Sequence, residues 1–213
     1  MNALGMIEVY SFTTALCVAD LAAKTADVKI IAFDRNRPKS ADAPAPLVMV
    51  VKIEGSVAAV RAAVDAGVEY AKGEGKYIVS HIIPRPAEHT EKMGYLMDIN
   101  KDKFNKKLPK NFIGVPEAEI DHNGSLGILE VQGLVASIEG LDAMLKTSDV
   151  RLIHTEKRLG GRLVTLVVTG SVSAVKAALE SGKKQASALG EIFGTACIAR
   201  PHNELLKFFD LEA

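Results

Sequence analysis

The sequence predicts an α+β protein made of two tandem domains that share one fold, each with the element order βαββαβ. A first observation is a repeated helix: GSVAAVRAAVDAG at Gly55–Gly67 returns as GSVSAVKAALESG at Gly170–Gly182, with eight of thirteen positions identical. A second is a repeated strand, LGMIEV at Leu4–Val9 and LGILEV at Leu126–Val131. A third is that the apolar patterns between these landmarks follow the same order in both halves. A chain of 213 residues is long enough for two such domains.

The spacing between the copies changes at one place. In the first part of each copy the matching residues lie 122 apart, as in ADLAAKTADV at Ala19–Val28 and LDAMLKTSDV at Leu141–Val150. From the repeated helix onward the spacing is 115, and HIIPRP at His81–Pro86 matches ACIARP at Ala196–Pro201. The first copy therefore holds 122 − 115 = 7 additional residues between its second and third predicted strands. Two copies that differ by one insertion indicate a duplication.

Turn residues and apolar periodicity locate the elements of the first copy. The first helix is predicted at Thr13–Thr25, which is rich in alanine and has apolar residues at helical spacing, with Ser11 or Thr13 as its cap. The second helix begins after the capping residue Ser56. Pro84 ends the last strand, because proline has no N–H to donate to a ladder. The predicted strands are Gly5–Tyr10, Val28–Phe33, Leu47–Ile53 and Tyr77–Ile83.

The second copy repeats this order of elements. Its helices are predicted near Ser137–Thr147 and from Val172 to about Leu189. Its strands are predicted at Leu126–Val131, Val150–Glu156, Leu163–Thr169 and Ile192–Ala199. The order βαββαβ is typical of the ferredoxin-like fold, in which two helices cover one face of a four-stranded antiparallel sheet.

A polar segment separates the two copies. It contains the lysine-rich run NKDKFNKKLPKN, which favours a solvated linker with a short helix near Glu91–Met97. We therefore expect domains at residues 1–89 and 124–213, joined by a polar linker at 90–123. A nucleic-acid patch is disfavoured, because few aromatic residues interrupt the run and the protein is neutral overall.

Composition argues against several other classes of protein. The formal net charge is zero, so no global field attracts nucleic acid or an anionic membrane. No apolar run approaches the roughly 20 residues that span a bilayer. The N-terminal stretch has no basic region followed by an apolar core, so no secretory signal is expected. Cys17 and Cys197 are too few for a disulfide framework or a zinc site, and a redox pair depends on a proximity that sequence does not reveal.

The motifs of the common catalytic classes are absent. The sequence has no nucleophile elbow, P-loop, dinucleotide-binding glycine motif or H-E-x-x-H zinc motif. Glu8 and Glu130 occupy matching places in the first strands and are interpreted as architectural. The sequence therefore predicts a protein that is not an enzyme. The histidines show no metal-ligand spacing, and we expect each to be a surface or turn residue rather than a ligand: His81, His89, His122, His154 and His202.

Certain charged residues recur at equivalent places in the two copies. Asp20–Lys24 and Asp142–Lys146 each have the i,i+4 spacing of a helical ion pair. An arginine precedes a proline at the end of each copy. One interpretation is solvated salt bridges and basic turns, and the other is an interface that both copies share. The residues concerned are Lys24, Lys146, Arg85 and Arg200.

The second copy resembles a bacterial microcompartment shell domain nearly from end to end. The motifs that carry the resemblance are LGILE, the DAMLK helix, the KRLGG hairpin, GSVSAVKAA and the closing IARPH. The first copy resembles the same domain more loosely, through LGMIEV, GSVAAVRAAVDAG and HIIPRP. The linker lies outside the resemblance. The chain is thus similar to the tandem-domain shell proteins that form trimers.

The resemblance implies a structural role. Single-domain members of this family form flat hexamers that tile into sheets around an enzyme-filled compartment, so a tandem chain implies a trimer with six domains around an axial pore. The expected partners are copies of itself, other shell proteins, the enclosed enzymes and small polar metabolites that cross the pore. The expected location is a microcompartment shell in the cytoplasm, with neither nucleic acid nor membrane as a partner.

The resemblance also implies roles for the recurring charged residues. Lys24 and Lys146 match the lysine that packs across the boundary between neighbouring tiles. Arg85 and Arg200 match the arginine of the closing R-P-H, which reaches into the neighbouring tile's edge. The first copy has Ala87 where the motif has histidine, which predicts a weaker or differently paired edge.

In this family the hairpin between the second and third strands lines the pore. The first copy has the longer loop Asp34–Pro46 there, and its Arg35, Arg37 and Lys39 predict a positive rim that favours anionic or polar metabolites. The alternative is that this loop folds back onto one face. The implied pore-lining residues are Arg35, Asn36, Arg37, Pro38, Lys39, Ser40, Arg158, Leu159, Gly160, Gly161 and Arg162.

Two alternative functions compete with a role in the shell. Some tandem relatives hold an iron–sulfur cluster through a pore-loop cysteine, but neither loop here contains cysteine, so no cluster, metal or other cofactor is expected. The alternative from a different class is a ligand-binding sensor or regulatory module, because tandem ferredoxin-like domains often bind ligands between subunits.

Overall fold

Both copies of the repeat fold as a four-stranded antiparallel sheet with helices packed on it, which confirms the predicted α+β class. The computed structural model describes residues 2–38, 40, 42–87, 90, 98–99, 101, 124–156 and 159–209. The chain divides into two compact units, Met1–Leu108 and Pro109–Ala213. Within the described ranges, no helix combines the length and the apolar character needed to cross a membrane.

The first unit has the strand order β2-β3-β1-β4, with every neighbouring pair antiparallel. This order is the one that the ferredoxin-like pattern predicts. Its elements are β1 (Ala3–Tyr10), α1 (Phe12–Thr25), β2 (Val28–Asn36), β3 (Val48–Gly55), α2 (Val57–Gly73) and β4 (Tyr77–Ile83).

The second unit repeats the arrangement, with the order β6-β7-β5-β8. One helix follows the repeated elements and has no predicted counterpart. The elements are β5 (Ser125–Gln132), α3 (Leu134–Thr147), β6 (Val150–Glu156), β7 (Leu163–Gly170), α4 (Val172–Ala186), β8 (Ile192–Ile198) and α5 (Asn203–Phe209).

Alternation along the central strands places the helices of the second unit on one face of the sheet. Every second residue of β5 and β7 points toward α3 and α4, as the period of two in a strand requires. Each fully buried aliphatic side chain of this core contributes about 1.5–3 kcal/mol relative to exposure. The core includes Leu129, Val131, Met144, Val164, Leu166, Val168, Val175 and Leu179.

Side chains cap the N-terminus of three of the four long helices that the structure describes, α1, α2 and α4. Ser11 Oγ accepts a hydrogen bond from Thr14 N at 3.4 Å, so Ser11, and not Thr13, caps α1. Ser56 and Ser171 cap α2 and α4 with the same geometry, each accepting from a backbone N–H at 3.2 Å. The helix α3 differs, because its N-cap is Gly133 at φ 102° and no side chain caps it.

Equivalent backbone hydrogen bonds support the duplication independently of residue identity. Tyr10 N donates to Lys76 O at 2.8 Å, and its counterpart in the second unit, Gln132 N, donates to Glu191 O at 2.9 Å. Ser11 N likewise donates to Leu47 O at 3.2 Å, as Gly133 N does to Arg162 O at 2.8 Å. The two units are therefore the same fold down to their loop junctions.

The structure corrects several element boundaries. The strand β2 continues to Asn36, whereas the sequence pattern ends it at Phe33, because residues 34–36 pair with β3 across the sheet. The helix α4 ends at Ala186, before the expected Leu189. The helix α5 was not predicted. It is a single short helix whose inner residues Leu205 and Leu206 are buried.

Part of the predicted linker packs against the first unit. Ile99 N donates a hydrogen bond to Phe33 O of β2 at 2.8 Å, so the chain returns to the edge of the first sheet at this point. The short helix predicted at Glu91–Met97 and residues 102–123 lie outside the described residues. The linker boundaries at 90 and 123 stay a prediction.

Candidate functional site

The loop of the first copy presents its charged residues to solvent and buries its other end. Arg35 and Asn36 belong to β2, where they pair with Met49 and Val48, and both are exposed. Arg37 follows the strand and is also exposed, while Lys39 lies outside the described residues. Among the residues that the structure describes, the guanidinium groups of Arg35 and Arg37 form no ion pair.

Three hydrogen bonds between residues one or two apart in the sequence hold the backbone of this loop. Asp34 Oδ1 accepts from Arg35 N, and Asn36 Oδ1 accepts from Arg37 N, both at 2.8 Å. Ser40 Oγ accepts from Asp42 N at 3.2 Å. Side chains that bond to the following backbone favour a defined turn over a random loop.

The end of the loop is anchored to the first unit. Ala45 and Leu47 are both buried, and Leu47 O accepts the hydrogen bond from Ser11 N at the start of α1. The loop therefore has an exposed basic part at its start and a buried apolar part at its end. Only the exposed part is available to line an opening.

The hairpin of the second copy has an unusual backbone. Gly160, Gly161 and Arg162 all have positive φ, at 92°, 61° and 59°. Two glycines adopt this left-handed conformation without steric cost, whereas Arg162 adopts it at some cost because it carries a Cβ. Leu163 N donates to Gly160 O at 3.0 Å and closes the turn.

The hairpin is fixed to the junction of β5 and α3. Gln132 Nε2 donates to Gly161 O at 3.0 Å, and Gly133 N donates to Arg162 O at 2.8 Å. Leu159 is buried, so this residue of the implied pore-lining set anchors the hairpin instead of presenting its side chain to solvent. Lys157 and Arg158 lie outside the described residues.

A cavity of about 670 Å³ opens beside this hairpin. Its lining combines a few polar groups with apolar side chains from α3 and from the turn after α4. The lining includes Gln132, Leu134, Val135, Arg162, Leu163 and Leu189.

The predicted aspartate–lysine ion pairs are both present, but they differ in exposure. Lys24 Nζ lies 2.5 Å from Asp20 Oδ2, and Lys146 Nζ lies 2.6 Å from Asp142 Oδ2. The side chains of Lys146 and Asp142 are 75% and 50% exposed, against 37% and 8% for Lys24 and Asp20. The hydrogen bond and the charge of Asp142 raise the pKa of Lys146.

The two arginines of the closing motif are exposed but differ in backbone. Arg200 has a φ of 48°, in the left-handed region, and the sequence-equivalent Arg85 does not. Each is followed by a buried proline, Pro201 or Pro86. The loss of the R-P-H pattern in the first copy therefore coincides with a different backbone at its arginine.

Each sheet contains a pair of ionisable side chains, largely removed from solvent, that the sequence motifs do not indicate. Asp34 Oδ2 lies 3.7 Å from Lys52 Nζ in the first unit. At the place equivalent to Asp34, Glu156 Oε2 lies 3.8 Å from His154 Nε2. The only sequence signal was that Lys52 interrupts the otherwise apolar run of its predicted strand, Leu47–Ile53.

The prediction that each histidine lies at the surface or in a turn is wrong for His154. It is buried, and its ring packs against Phe209 and Phe208 of α5 at centroid distances of 5.2 and 6.2 Å. In the part of the chain that the structure describes, neither of its ring nitrogens has a hydrogen-bond partner.

Burial also affects the basic residue of the first sheet. Lys52 is almost fully buried, and this desolvation lowers its pKa, while the Asp34 carboxylate opposes the change. Both buried pairs lie within single units and contact their own sheets. We interpret them as architectural.

The two cysteines are free thiols in different environments. Cys17 is buried in α1, and this burial raises its pKa to about 11, although a hydrogen bond with Tyr70 opposes the change. Cys197 is partly exposed in β8, and burial raises its pKa as well. Within the described ranges, no three His, Cys, Asp or Glu side chains converge on a possible metal site.

We expect a thiol reagent to modify Cys197 of the folded protein at least about tenfold faster than Cys17, because the thiolate is the nucleophile and Cys17 is both buried and protonated. Mass spectrometry of the alkylated protein measures the order of modification. In denaturant both thiols should react at similar rates. Equal rates in the folded protein would contradict the burial of Cys17.

Comparison with known proteins places both copies in one family. The family model described as the BMC domain matches residues 3–86 and 125–201. The carboxysome assembly protein CcmO of Synechococcus elongatus is 30% identical over 205 residues, which cover 96% of this chain and 67% of that protein. The bacterial microcompartment shell protein PduA of Salmonella typhimurium is 45% identical over 83 residues, covering 39% of this chain and 87% of PduA.

A solved structure was also matched. It is a crystal structure of a microcompartments protein from Desulfitobacterium hafniense, 24% identical, with a TM-score of 0.39, and the match covers 97% of this chain and 99% of that one.

Proposed function

Because the chain belongs to the BMC domain family, we propose that it is a structural shell protein of a bacterial microcompartment, and not an enzyme. The observation that carries this proposal is that both copies of the repeat match the BMC domain. A relative built of little more than one such domain, PduA, is named a shell protein, and a relative that spans nearly all of this chain, CcmO, is named a carboxysome assembly protein.

The proposed assembly is a trimer. Two units of the same fold in one chain supply two places in a ring, so three chains supply the six places that single-domain members of the family fill. The partners proposed for this trimer are other shell proteins and the enzymes that the shell encloses. Its proposed location is the shell of a microcompartment in the cytoplasm.

The axis of the ring is proposed to form a pore for small polar metabolites. Each unit carries exposed arginine near the connection between its second and third strands. In the first unit these are Arg35, at the end of β2, and Arg37, and in the second unit it is Arg162, directly before β7. Three copies of each segment around one axis concentrate positive charge, which raises the local concentration of anions. The end of the first loop is buried in its own unit, whereas its basic part is exposed and can line the pore.

We expect replacement of Arg35, Arg37 and Lys39 by serine to lower the ratio of anion to cation permeability by about tenfold, because the focusing charge is removed. Single-channel recording or transport into assembled shells measures the ratio. Arg61→Ser, which removes an exposed positive charge from α2, is the matched control and should leave the ratio unchanged. An unaltered preference for anions in the triple variant would refute the positive rim.

Electron microscopy of the concentrated protein tests the shell function itself. A shell tile should form extended sheets or tubes with a regular lattice of ring-shaped units. A sensor or regulatory module should remain as discrete particles and bind a small ligand with measurable heat. Discrete particles at high concentration, with such heat, would reject the shell proposal in favour of the sensor.

A further inference from the structure

A carboxylate stands directly before the basic residues of the first loop. Arg35, Arg37 and Lys39 against Asp42 leave the loop with a net charge of +2, and Asp34 would lower this charge to +1 if it also faced the solvent. Neighbouring Cα atoms are about 3.8 Å apart, well within the screening length of about 8 Å in physiological salt. The position of the Asp34 carboxylate therefore affects how positive the loop is.

The structure turns this carboxylate away from the loop and toward the sheet. Asp34 Oδ2 lies 3.7 Å from Lys52 Nζ, and the side chain of Asp34 is only 19% exposed. Its other oxygen, Oδ1, accepts the hydrogen bond from Arg35 N at 2.8 Å. Because side chains alternate between the two faces of a strand, Arg35 belongs to the face opposite Asp34. The exposed guanidinium group and the carboxylate are thus separated by the strand.

Lys52 is the buried partner that holds the carboxylate. It lies within β3, and its side chain is 8% exposed. Burial lowers the pKa of Lys52, the charges of Asp34 and Asp98 raise it, and the charge of Lys101 lowers it. Among these charged groups Asp34 has the largest effect. The contact between Lys52 and Asp34 therefore compensates both charges inside the first unit.

The second unit withdraws the equivalent carboxylate with a different partner. Glu156 occupies the place of Asp34 at the spacing of 122 residues, and its side chain is fully buried with Oε2 at 3.8 Å from His154 Nε2. The place of Lys52, at the spacing of 115, is taken by Val167. Both units thus hold the acidic residue of the second strand within the sheet, although the partners differ. This indicates that the position of the carboxylate matters more than the identity of its partner.

We propose that Lys52 determines the charge selectivity of the pore by holding the Asp34 carboxylate against the sheet, away from the exposed Arg35 and Arg37. This role rests on the proposed pore with its positive rim, and it comes in addition to the part that the pair plays in the sheet. Lys52 is a positioning residue, because it acts on the permeating ions through Asp34.

Lys52→Met should lower the ratio of chloride to potassium permeability by about twofold, because the freed carboxylate offsets one of the basic residues of each loop. Asp34 is already partly exposed near the end of β2, so without Lys52 it turns to the solvent instead of remaining buried. Single-channel recording across a gradient of potassium chloride measures the ratio. Circular dichroism verifies that each variant is folded.

Removal of the carboxylate separates this role from a purely structural one. Asp34→Asn/Lys52→Met has no charge at either position and should restore the wild-type ratio. Lys52→Met/Glu54→Gln is the matched control with the same net charge, since Glu54 lies at the other end of β3, where it accepts a hydrogen bond from Asn2. This control should keep the twofold lower ratio. Asp34→Asn alone should give a ratio at or above that of the wild type, and a lower ratio would contradict the proposal even if Lys52→Met does not fold.

The outcomes distinguish the role of Lys52 from the rim on which it depends. A wild-type pore without preference for chloride would overturn the positive rim, and the role of Lys52 with it. A preference that falls in the triple serine variant of the loop but not in Lys52→Met would leave the rim and overturn the role of Lys52. A ratio that stays low in Asp34→Asn/Lys52→Met, or that recovers equally in the Glu54→Gln control, would also overturn this role.

Discussion

Replacing Gly182 by alanine should lower the free energy of unfolding of the second unit by about 1–3 kcal/mol, because the added methyl overpacks the contact between α3 and α4. A Cβ at this position would lie 2.4 Å from Met144 Cγ and 3.0 Å from the backbone oxygen of Gly140. Met144 is fully buried, so its movement disturbs the rest of the core. Each kcal/mol should lower the thermal midpoint by about 4–8 °C in a unit of this size.

Gly73→Ala is the matched control for this change. Gly73 is the last residue of α2, and a Cβ there would meet nothing within 4 Å. The same substitution should therefore be neutral or stabilising by up to about 1 kcal/mol, since alanine is the better helix former. Thermal and urea unfolding followed by circular dichroism measure both variants. A Gly182→Ala midpoint at or above that of the wild type would show that the helices do not require this close approach.

We propose that Lys146 lies at the edge of the tile, as the family resemblance implies, so Lys146→Ala should prevent the formation of sheets and tubes while leaving the trimer intact. Its side chain is exposed and so is that of its partner Asp142, so solvent screens their ion pair and it contributes little to the stability of the helix. Loss of assembly would therefore report a lost contact between tiles, not a damaged fold. Electron microscopy of concentrated protein and sedimentation of dilute protein measure the two levels of assembly.

Lys184→Ala provides the control, because Lys184 is an exposed lysine in the last turn of α4 in the same unit. It should leave both the sheets and the trimer unchanged. Sheets that form equally well from Lys146→Ala and from the wild type would remove Lys146 from the proposed edge.

The equivalent change in the first copy should act differently. Lys24 pairs with Asp20, whose side chain is buried, so Lys24→Ala weakens the compensation of a buried carboxylate. We expect this variant to lower the free energy of unfolding of the first unit and also to weaken the assembly into sheets. A loss of sheets would then have two causes. Lys146 is therefore the cleaner test of the edge.

Local sequence signals were sufficient to predict where most helices and strands lie. β4 and β6 lie at the predicted residues, Tyr77–Ile83 and Val150–Glu156, because each is a short run of strand-forming residues with a clear stop. The caps Ser56 and Ser171 also lie where the repeated G-S pair places them. Turn chemistry and periodicity act within a few residues, and they are visible without the fold.

The features that sequence patterns did not predict have a common physical cause. Arg35 and Asn36 lack the composition of a strand, and they belong to β2 because β3 pairs with them across the sheet. His154 has no distinctive neighbours in the sequence, and α5 buries it with two phenylalanine rings. In each case the deciding partner lies far away along the chain.

The sequence by itself determined the duplication, the order βαββαβ in each copy and the resemblance to a shell domain, because repeats, periodicity and turn residues are local properties. It also identified the loops in which the two copies differ. Only the tertiary structure decided that Phe12 and Leu16 are covered while Leu134 and Ile138 are open. Burial depends on what folds against a residue, and helices at equivalent places in the repeat therefore have different surroundings in the two units.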